Sequence, residues 1–182
     1  MSFEGQLIQS LQGILASRPG VWFSIFCARW LIFVEVLWIF GLAFTKQGTK
    51  LKHATKEAGM AMLIALYAAL TLSQLIGRLR PFVAEAQILR LIPQPLSLHS
   101  LPSAHASAAF ALALAIAWTS PKAALVPLLL AFGVAFGRVA VGVHYPTDVL
   151  AGLVLGAVAV LLVRLLHAAI RRTSVYREHH HG

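Results

Sequence analysis

Acidic residues are scarce in this chain of 182: 6 Asp and Glu stand against 15 Lys and Arg, and charged residues of both signs make up only 12%. A soluble domain carries about 25% charge. A chain that is 59% hydrophobic, with a mean hydropathy of +0.79, has too little polar surface to clothe a globule in water. Secreted, collagenous and disordered classes are excluded with it. Cysteine is nearly absent, and the single Cys27, inside an apolar run, cannot form an intramolecular disulfide and reads as a small hydrophobe. A basic start is missing too: Met1-Ser2-Phe3-Glu4 has none, and no small-residue cleavage site follows a continuous apolar core. Insertion is therefore expected to rely on the spans themselves. There is no internal repeat, and the one low-complexity tract, His179-His180-His181, carries none of the chemistry below.

What the chain does have is long apolar runs of roughly 15 to 24 residues, the length of bilayer-spanning helices. Five spans are expected, at about 21–45, 57–77, 103–119, 123–137 and 148–170, in one membrane-embedded, all-α domain over residues 1–182. The third and fourth look short, and their helices are expected to extend into the flanking segments or to tilt little. Before them, over 3–17, Leu7, Ile8, Leu11, Ile14 and Leu15 share one helical face with Gln6, Gln9, Ser10 and Gln12 between them. That pattern predicts an amphipathic interfacial helix, ended by Arg18-Pro19-Gly20.

The net charge of +9 would raise the question of nucleic acid in a soluble protein. In a membrane chain it reports loop topology and an anionic ligand. Lys46, Lys50, Lys52 and Lys56 read as a basic loop between the first two spans, and with Lys122, Arg171, Arg172 and Arg177 they mark one face. Against them stand Arg18, Arg78, Arg80, Arg90 and Arg138. Eight against five predicts a cytoplasmic basic loop and C-terminus, with 78–103 and 138–148 facing outward.

Those outward segments hold nearly all the polar residues that an enzyme needs: Arg80-Pro81, then Pro102-Ser103-Ala104-His105, then Arg138, His144 and Asp148. Each cluster lies at a span terminus, so a bundle can gather them at one interface without stranding charge in lipid. Phosphate-ester cleavage without a metal requires a nucleophile, a group to orient it, a proton donor for the leaving oxygen, and cations for the phosphoryl oxygens. His144 and Asp148 lie four residues apart at the start of the last helix, with Pro146 suited to its first turn. The carboxylate can then fix the imidazole tautomer, as in a Ser-His-Asp triad with histidine itself attacking. Ser103 and His105 sit where the third span begins, and free N–H groups there favour bound phosphate. Arg80 and Arg138 supply the cationic forks.

Arg80-Pro81, Pro102-Ser103-Ala104-His105 and the stretch from Gly137 to Asp148, GRVAVGVHYPTD, resemble the three signature motifs of the type 2 phosphatidic acid phosphatase superfamily, in the same order. The resemblance implies His144 as a nucleophile that becomes a phosphohistidine, Asp148 as its support and His105 as general acid. It implies Arg80, Ser103, Ala104 through its backbone N–H, and Arg138 as phosphate ligands. Three positions depart from the pattern: Ser73 stands where the first motif has a lysine, Ala104 where the second has a glycine, and Gly137 where the third opens on serine. Arg78 is the candidate replacement for the missing cation. The Arg-Pro-Phe followed by Leu-Ile-Pro is similar to the undecaprenyl-diphosphatase branch, which does not hold that lysine strictly. That branch implies release of the terminal phosphate of undecaprenyl diphosphate on the outer face of a bacterial inner membrane, recycling the cell-wall lipid carrier. Alternatives are phosphatidylglycerophosphate, phosphatidic acid or lipid A phosphate as substrate, a phosphotransferase, or a non-catalytic lipid-binding or transport protein.

Blander readings stand beside these. His144 and Asp148 also suit a helix cap, His105 a polar residue at a helix end, and Arg80 and Arg138 headgroup anchors. Arg90 reads as such an anchor and His99 as a solvated loop residue. Arg29 and Glu35, six apart in the first span, differ by about 240° around a helix and are not expected to pair; Glu35 reads as structural. Trp22, Trp30, Trp38 and Trp118 read as interface belt or core. The small-residue run from Ala104 to Ala117 reads as close helix packing. No metal ligand cluster is indicated, no cofactor is implied, and the expected partners are the lipid substrate and membrane lipids.

Overall fold

Ala54, Ala58, Ala61, Ala65 and Ala69 recur every three or four residues, the spacing of one helical face. In the computed structural model, which describes residues 1–44, 49–93 and 98–180, all five are buried along α4 (Thr49–Ile76). The stripe seats against α6 (Ala104–Thr119), which also packs on α7 (Pro121–Ala140) and α8 (Pro146–His180). α6 is apolar all round and buried along most of its length, the signature of a helix with neighbours on every side. Lipid tails are as apolar as leucine, so helices in a bilayer gain by close contact, which alanine permits. Ala111, Ala115 and Ile116 of α6 form the core with Ala58, Ala61 and Ala65 of α4 and Ala159, Val160 and Val163 of α8.

The described residues are all-helical, with α1 (Phe3–Ile14), α2 (Arg18–Arg29), α3 (Leu31–Leu42) and the short α5 (Pro81–Ala84) completing the set. Helices α4, α7 and the Pro146–Arg171 part of α8 are each long and apolar enough to cross a membrane. α2 and α3 pass that test only as a pair bent by 50°. At 16 residues α6 is shorter, about 24 Å against a hydrocarbon core of about 30 Å. The chain is a membrane-embedded helical bundle.

Several expected boundaries move. The first span is not one helix over 21–45: it breaks at Trp30, where Arg138 Nη1 donates to the Ala28 carbonyl at 3.3 Å. A side chain inserted into the helical ladder is a recognised cause of such a bend. Arg18-Pro19-Gly20 does not simply end α1; Ser17 caps α2 by accepting the Gly20 N–H, and Pro19 suits the first turn. Lys50, Lys52 and Lys56 lie on α4 rather than in a loop, because that helix starts at Thr49. Lys46 falls outside the described residues, as do the side chains of Arg172 and Arg177. α7 extends at both ends of its expected span, whereas α6 does not.

The two ends of the bundle differ in chemistry. At the end where α4 begins and α6 finishes, Glu57 pairs with Arg164 and His167, each at 3.0 Å, tying α4 to α8. At the other end lie Arg80, Ser103, Arg138, His144 and Asp148.

The alanine seam gives a stability test. Ala61→Leu is expected to lower the stability of the purified protein by about 1–3 kcal/mol, the usual cost of overpacking. Leu63→Ala, on the exposed face of the same helix, should stay within about 0.5 kcal/mol. Thermal unfolding in one detergent compares the two, and equal shifts would contradict the packing described.

Candidate active site

Four short backbone contacts draw the site together. After α4 the chain turns at Gly77, and Arg78–Arg80 runs beside Leu98–Ser100: Arg80 N–H donates to the Leu98 carbonyl at 2.9 Å, and Ser100 N–H to the Arg78 carbonyl at 2.8 Å. Ser103 N–H donates to the Asp148 carbonyl at 3.0 Å, joining the starts of α6 and α8. His144 N–H returns to the Arg138 carbonyl at 3.3 Å, folding the loop back over the last turn of α7. That return needs Gly142, whose φ of 77° suits glycine and whose missing side chain would otherwise strike the Leu89 carbonyl.

His144 is 3% exposed and its tautomer follows from its partners. Nδ1 lies 2.9 Å from the Ser100 carbonyl and 3.5 Å from Asp148 Oδ2, both acceptors, so Nδ1 carries the proton. Nε2 lies 3.2 Å from Arg80 Nη1, which can only donate, so Nε2 presents its lone pair. Burial pushes the imidazole pKa down to about 4; Arg138 and Arg80 push the same way, and Asp148 opposes them. The ring is therefore neutral at pH 7.

Asp148 is fully buried and serves three partners. Oδ1 accepts from Arg78 Nη1 at 2.8 Å, while Oδ2 accepts the Tyr145 N–H at 2.8 Å and faces His144. The Tyr145 bond is a helix cap in the sense expected of a third-position acid, with Pro146 in the first turn. Capping and support of the imidazole are thus done by one carboxylate.

Arg80 opens α5 and is held by the Val143 carbonyl at 2.9 Å; burial lowers its pKa to about 10, so it stays charged. Arg138 is 2% exposed at the end of α7. Ser103 caps α6 by accepting the Ala106 N–H at 3.5 Å, and Ala104 is the first residue of that helix. His105, half-buried in its first turn, is within electrostatic reach of Arg138, His144 and Arg80. Arg80, Ser103, Ala104, His105, Arg138, His144 and Asp148 therefore gather at one end of the bundle. Arg78 joins them through the Asp148 carboxylate, not beside Nε2, and its guanidinium also lies 4.0 Å from the centre of the Tyr145 ring.

The departures from the motif pattern have local explanations. Ser73 is buried, and its hydroxyl donates to the Leu70 carbonyl of its own helix at 2.9 Å. A side chain at Gly137 would meet the backbone of Ala28 and Cys27, so glycine lets α2 and α7 touch. Other residues stay apart from the site. His99 Nδ1 sits 3.2 Å from Gln74, and Arg90 lies over the Phe82 ring at 5.1 Å. Arg29 is exposed at the α2–α3 break. Glu35 is fully buried, and neither of its carboxyl oxygens has a hydrogen-bond partner among the described residues.

No sequence pattern singles out Ser100, Glu4 or Thr147. Ser100 acts through a backbone carbonyl, which no side-chain pattern reveals. Glu4 lay in the first turn of the amphipathic helix, where an acid reads as an ordinary dipole partner; in the structure it reaches Arg78 and Thr147.

The family model of the PAP2 superfamily matches residues 55–172. YbjG of Escherichia coli, provisionally named an undecaprenyl-diphosphatase, is 30% identical over 153 residues, covering 81% of this chain and 73% of that protein. Decaprenylphosphoryl-5-phosphoribose phosphatase of Mycolicibacterium smegmatis is 31% identical over 159 residues, covering 82% of this chain and 81% of that one. The crystal structure of Aquifex aeolicus LpxE aligns with a TM-score of 0.66 at 22% identity, over 90% of this chain and 95% of that one, a likeness of fold.

The tautomer is open to direct measurement. In ¹⁵N spectra of the histidine-labelled protein, His144 is expected to show a protonated Nδ1 and a bare Nε2 at pH 6. An exposed histidine is about half protonated near pH 6.5, whereas His144, with its pKa pushed down, should keep its lone pair until the pH approaches 4. A midpoint near 6.5, or a proton on Nε2, would contradict the arrangement.

Proposed function

The chain belongs to the PAP2 superfamily, and from that premise we propose that this membrane phosphatase hydrolyses undecaprenyl diphosphate to undecaprenyl phosphate and phosphate. The observation that carries the reading is His144, with Nδ1–H fixed by the Ser100 carbonyl beside Asp148 and Nε2 open against Arg80. A neutral imidazole with a directed lone pair next to a guanidinium is arranged to attack an anion that the cation holds. Nε2 attacks the terminal phosphorus, the N–P bond forms, and the bridging P–O bond breaks. His105 gives a proton to the leaving lipid phosphate. Water then attacks the phosphohistidine, His105 takes its proton, and phosphate leaves as Nε2 regains its lone pair.

In this scheme Arg80 and Arg138 hold the phosphoryl oxygens, with Ser103 and the Ala104 N–H at the start of α6 completing the cradle. Asp148 stabilises the positive charge that His144 develops. No step calls for a metal. An apolar groove of about 450 Å³ supports a long-chain substrate: it starts at Leu101 and Pro102, beside Ser103, and continues along Leu72, Ile76, Val154 and Val158. A headgroup can sit at the polar end while its tail follows α4 and α8 into lipid. The basic residues Lys50, Lys52, Lys56, Lys122 and Arg171 belong to helix ends away from the site. That distribution supports a cytoplasmic C-terminus and a site on the outer face of a bacterial inner membrane.

One observation favours a second reading. The decaprenylphosphoryl-5-phosphoribose phosphatase is as similar to this chain as YbjG, which supports a polyprenyl phosphate monoester as the alternative substrate.

Phosphate release from undecaprenyl diphosphate, with chelator present, is the deciding assay. Wild type should turn over, and His144→Ala should lose at least about 10³-fold; a diacylglycerol phosphate and a polyprenyl phosphoribose monoester run in parallel identify the lipid. Turnover on neither class by folded protein would sink the phosphatase reading. His105→Ala separates the roles further. A monoester leaves as a poor alkoxide and depends on the proton, whereas a diphosphate releases a stabilised phosphate. The loss, about 10²–10⁴-fold for a general acid, should be larger on the monoester. Equal losses would remove His105 from that role.

A further inference from the structure

α1 divides its surface three ways. Ile8 is fully buried and packs with Ile88, Tyr145 and Val139. On the same side Gln12 Nε2 donates to the carbonyls of Leu89 at 2.7 Å and Ala140 at 3.2 Å, and Oε1 accepts the Leu89 N–H at 3.1 Å. Ser2 donates its hydroxyl to Glu85 at 2.7 Å. Phe3, Leu7 and Ile14 project elsewhere, within about 40° of one another on an ideal helix, and are exposed where lipid would cover them. Gln6 and Gln9 are exposed on a third sector. The helix is therefore docked to protein by side-chain hydrogen bonds as well as laid on the membrane.

Glu4 stands beside the docked face and reaches the site. Oε1 accepts the backbone N–H and the hydroxyl of Thr147, both at 2.9 Å, and Oε2 lies 2.7 Å from Arg78 Nη2. Thr147 is in the first turn of α8, whose N–H groups have no partner within that helix, so Glu4 caps α8 from another helix. Arg78 Nη1 in turn lies 2.8 Å from Asp148 Oδ1. An acid on α1, a base after α4 and the Asp148 carboxylate thus form one unbroken chain that ends 3.5 Å from His144 Nδ1.

We propose that Glu4 is a positioning residue for the reaction: by offsetting the Arg78 charge and capping the first turn of α8 it leaves the Asp148 carboxylate to His144, which makes α1 part of the active site. The proposal rests on the reading of His144 as nucleophile and Asp148 as its support. Its physical content is an electrostatic balance. Arg78 draws on the Asp148 carboxylate that His144 needs, and Glu4 offsets Arg78 and fixes where its guanidinium sits. Burial works against the Glu4 charge, but the Thr147 and Arg78 contacts outweigh it and hold the carboxyl below its ordinary pKa, so it is ionised at neutral pH. The other charged or titratable groups that face His144 and Asp148 are Arg80 after α4, His105 from α6 and Arg138 from α7; Glu85 and Tyr145 flank Arg78 and α1.

The signs follow. Without Glu4 the Arg78 charge bears fully on Asp148, His144 loses part of its support, and the acid limb of the kcat profile moves to lower pH. Without Arg78 the carboxylate serves His144 more fully, and the limb moves to higher pH. The full chain should be assayed on undecaprenyl diphosphate as wild type, Glu4→Gln, Arg78→Gln, the double variant, Gln12→Ala and His144→Ala. Glu4→Gln is expected to lower kcat about tenfold with KM changed less than about twofold, the pattern of a group felt in the transition state. The double variant should follow Arg78→Gln, because Glu4 acts through Arg78. Gln12→Ala, which loosens α1 without touching that chain, should keep the wild-type limb. The ¹⁵N titration of His144 in Glu4→Gln reads the same displacement if turnover is too low to profile. Wild-type kcat and limb in Glu4→Gln, beside an inactive His144→Ala, would overturn the proposal; so would a double variant that keeps the Glu4→Gln limb instead of following Arg78→Gln. Full turnover in His144→Ala would instead overturn the reading of the site on which the proposal stands.

Discussion

A fully buried carboxylate governs one end of this bundle. Asp148 has lost its water, and a buried charge without partners costs several kcal/mol. Its oxygens are met by the Arg78 guanidinium and the Tyr145 N–H, with His144 close by, and its carbonyl accepts from Ser103. Those bonds fix the segment after α4, the starts of α6 and α8, and the His144 loop. A bilayer leaves no alternative: polar groups there are satisfied by protein or kept at helix ends near water. The site occupies helix ends for that reason, and α6 can be plain alanine and leucine below it.

Arg138 imposes the second constraint, felt far along the chain. It is buried at the end of α7 and takes the Ala28 carbonyl, where the first apolar run breaks. Gly137 beside it has no side chain to hold α2 away. The bend in the first span, the glycine that opens the third motif and the cation of the site are one packing solution. A straight helix over the same residues would carry the Ala28 carbonyl in its own ladder and leave the guanidinium short of that acceptor.

Much of this could be read in advance because membrane helices and motif spacing are written in residue type. The apolar runs located the helices, the small residues from Ala104 to Ala117 marked close packing without naming the partner helix, and the polar residues at run ends gave the cluster that the fold gathers. The break at Trp30 is not legible, since neither proline nor glycine marks it; the contact beside it comes from an arginine more than a hundred residues away. Lys50, Lys52 and Lys56 read as a loop because charge outweighs helix propensity in a hydropathy reading, yet lysine is a good helix former and α4 runs through them. Ser100 was invisible because its contribution is a carbonyl, which every residue possesses. Glu4 was in view, but only the docking of α1 shows that its carboxylate faces Arg78 rather than water.

The departures from the family pattern are easier to understand as charge than as sequence. Arg80 and Arg138 donate to neutral carbonyls, those of Val143 and Ala28, and the Asp148 charge also acts on Arg80. Arg78 is bound by two carboxylates, of Glu4 and Asp148, which offset its charge. The missing lysine at Ser73 is thus not replaced by a third equivalent cation. Beside it stands a triad of Glu4, Arg78 and Asp148 whose charges offset one another. Fewer cations around a buried imidazole leave it more basic, since each nearby positive charge drives the His144 pKa further down. Cations that hold an anion also lower the basicity of a neighbouring imidazole, so the two demands oppose each other in such a site.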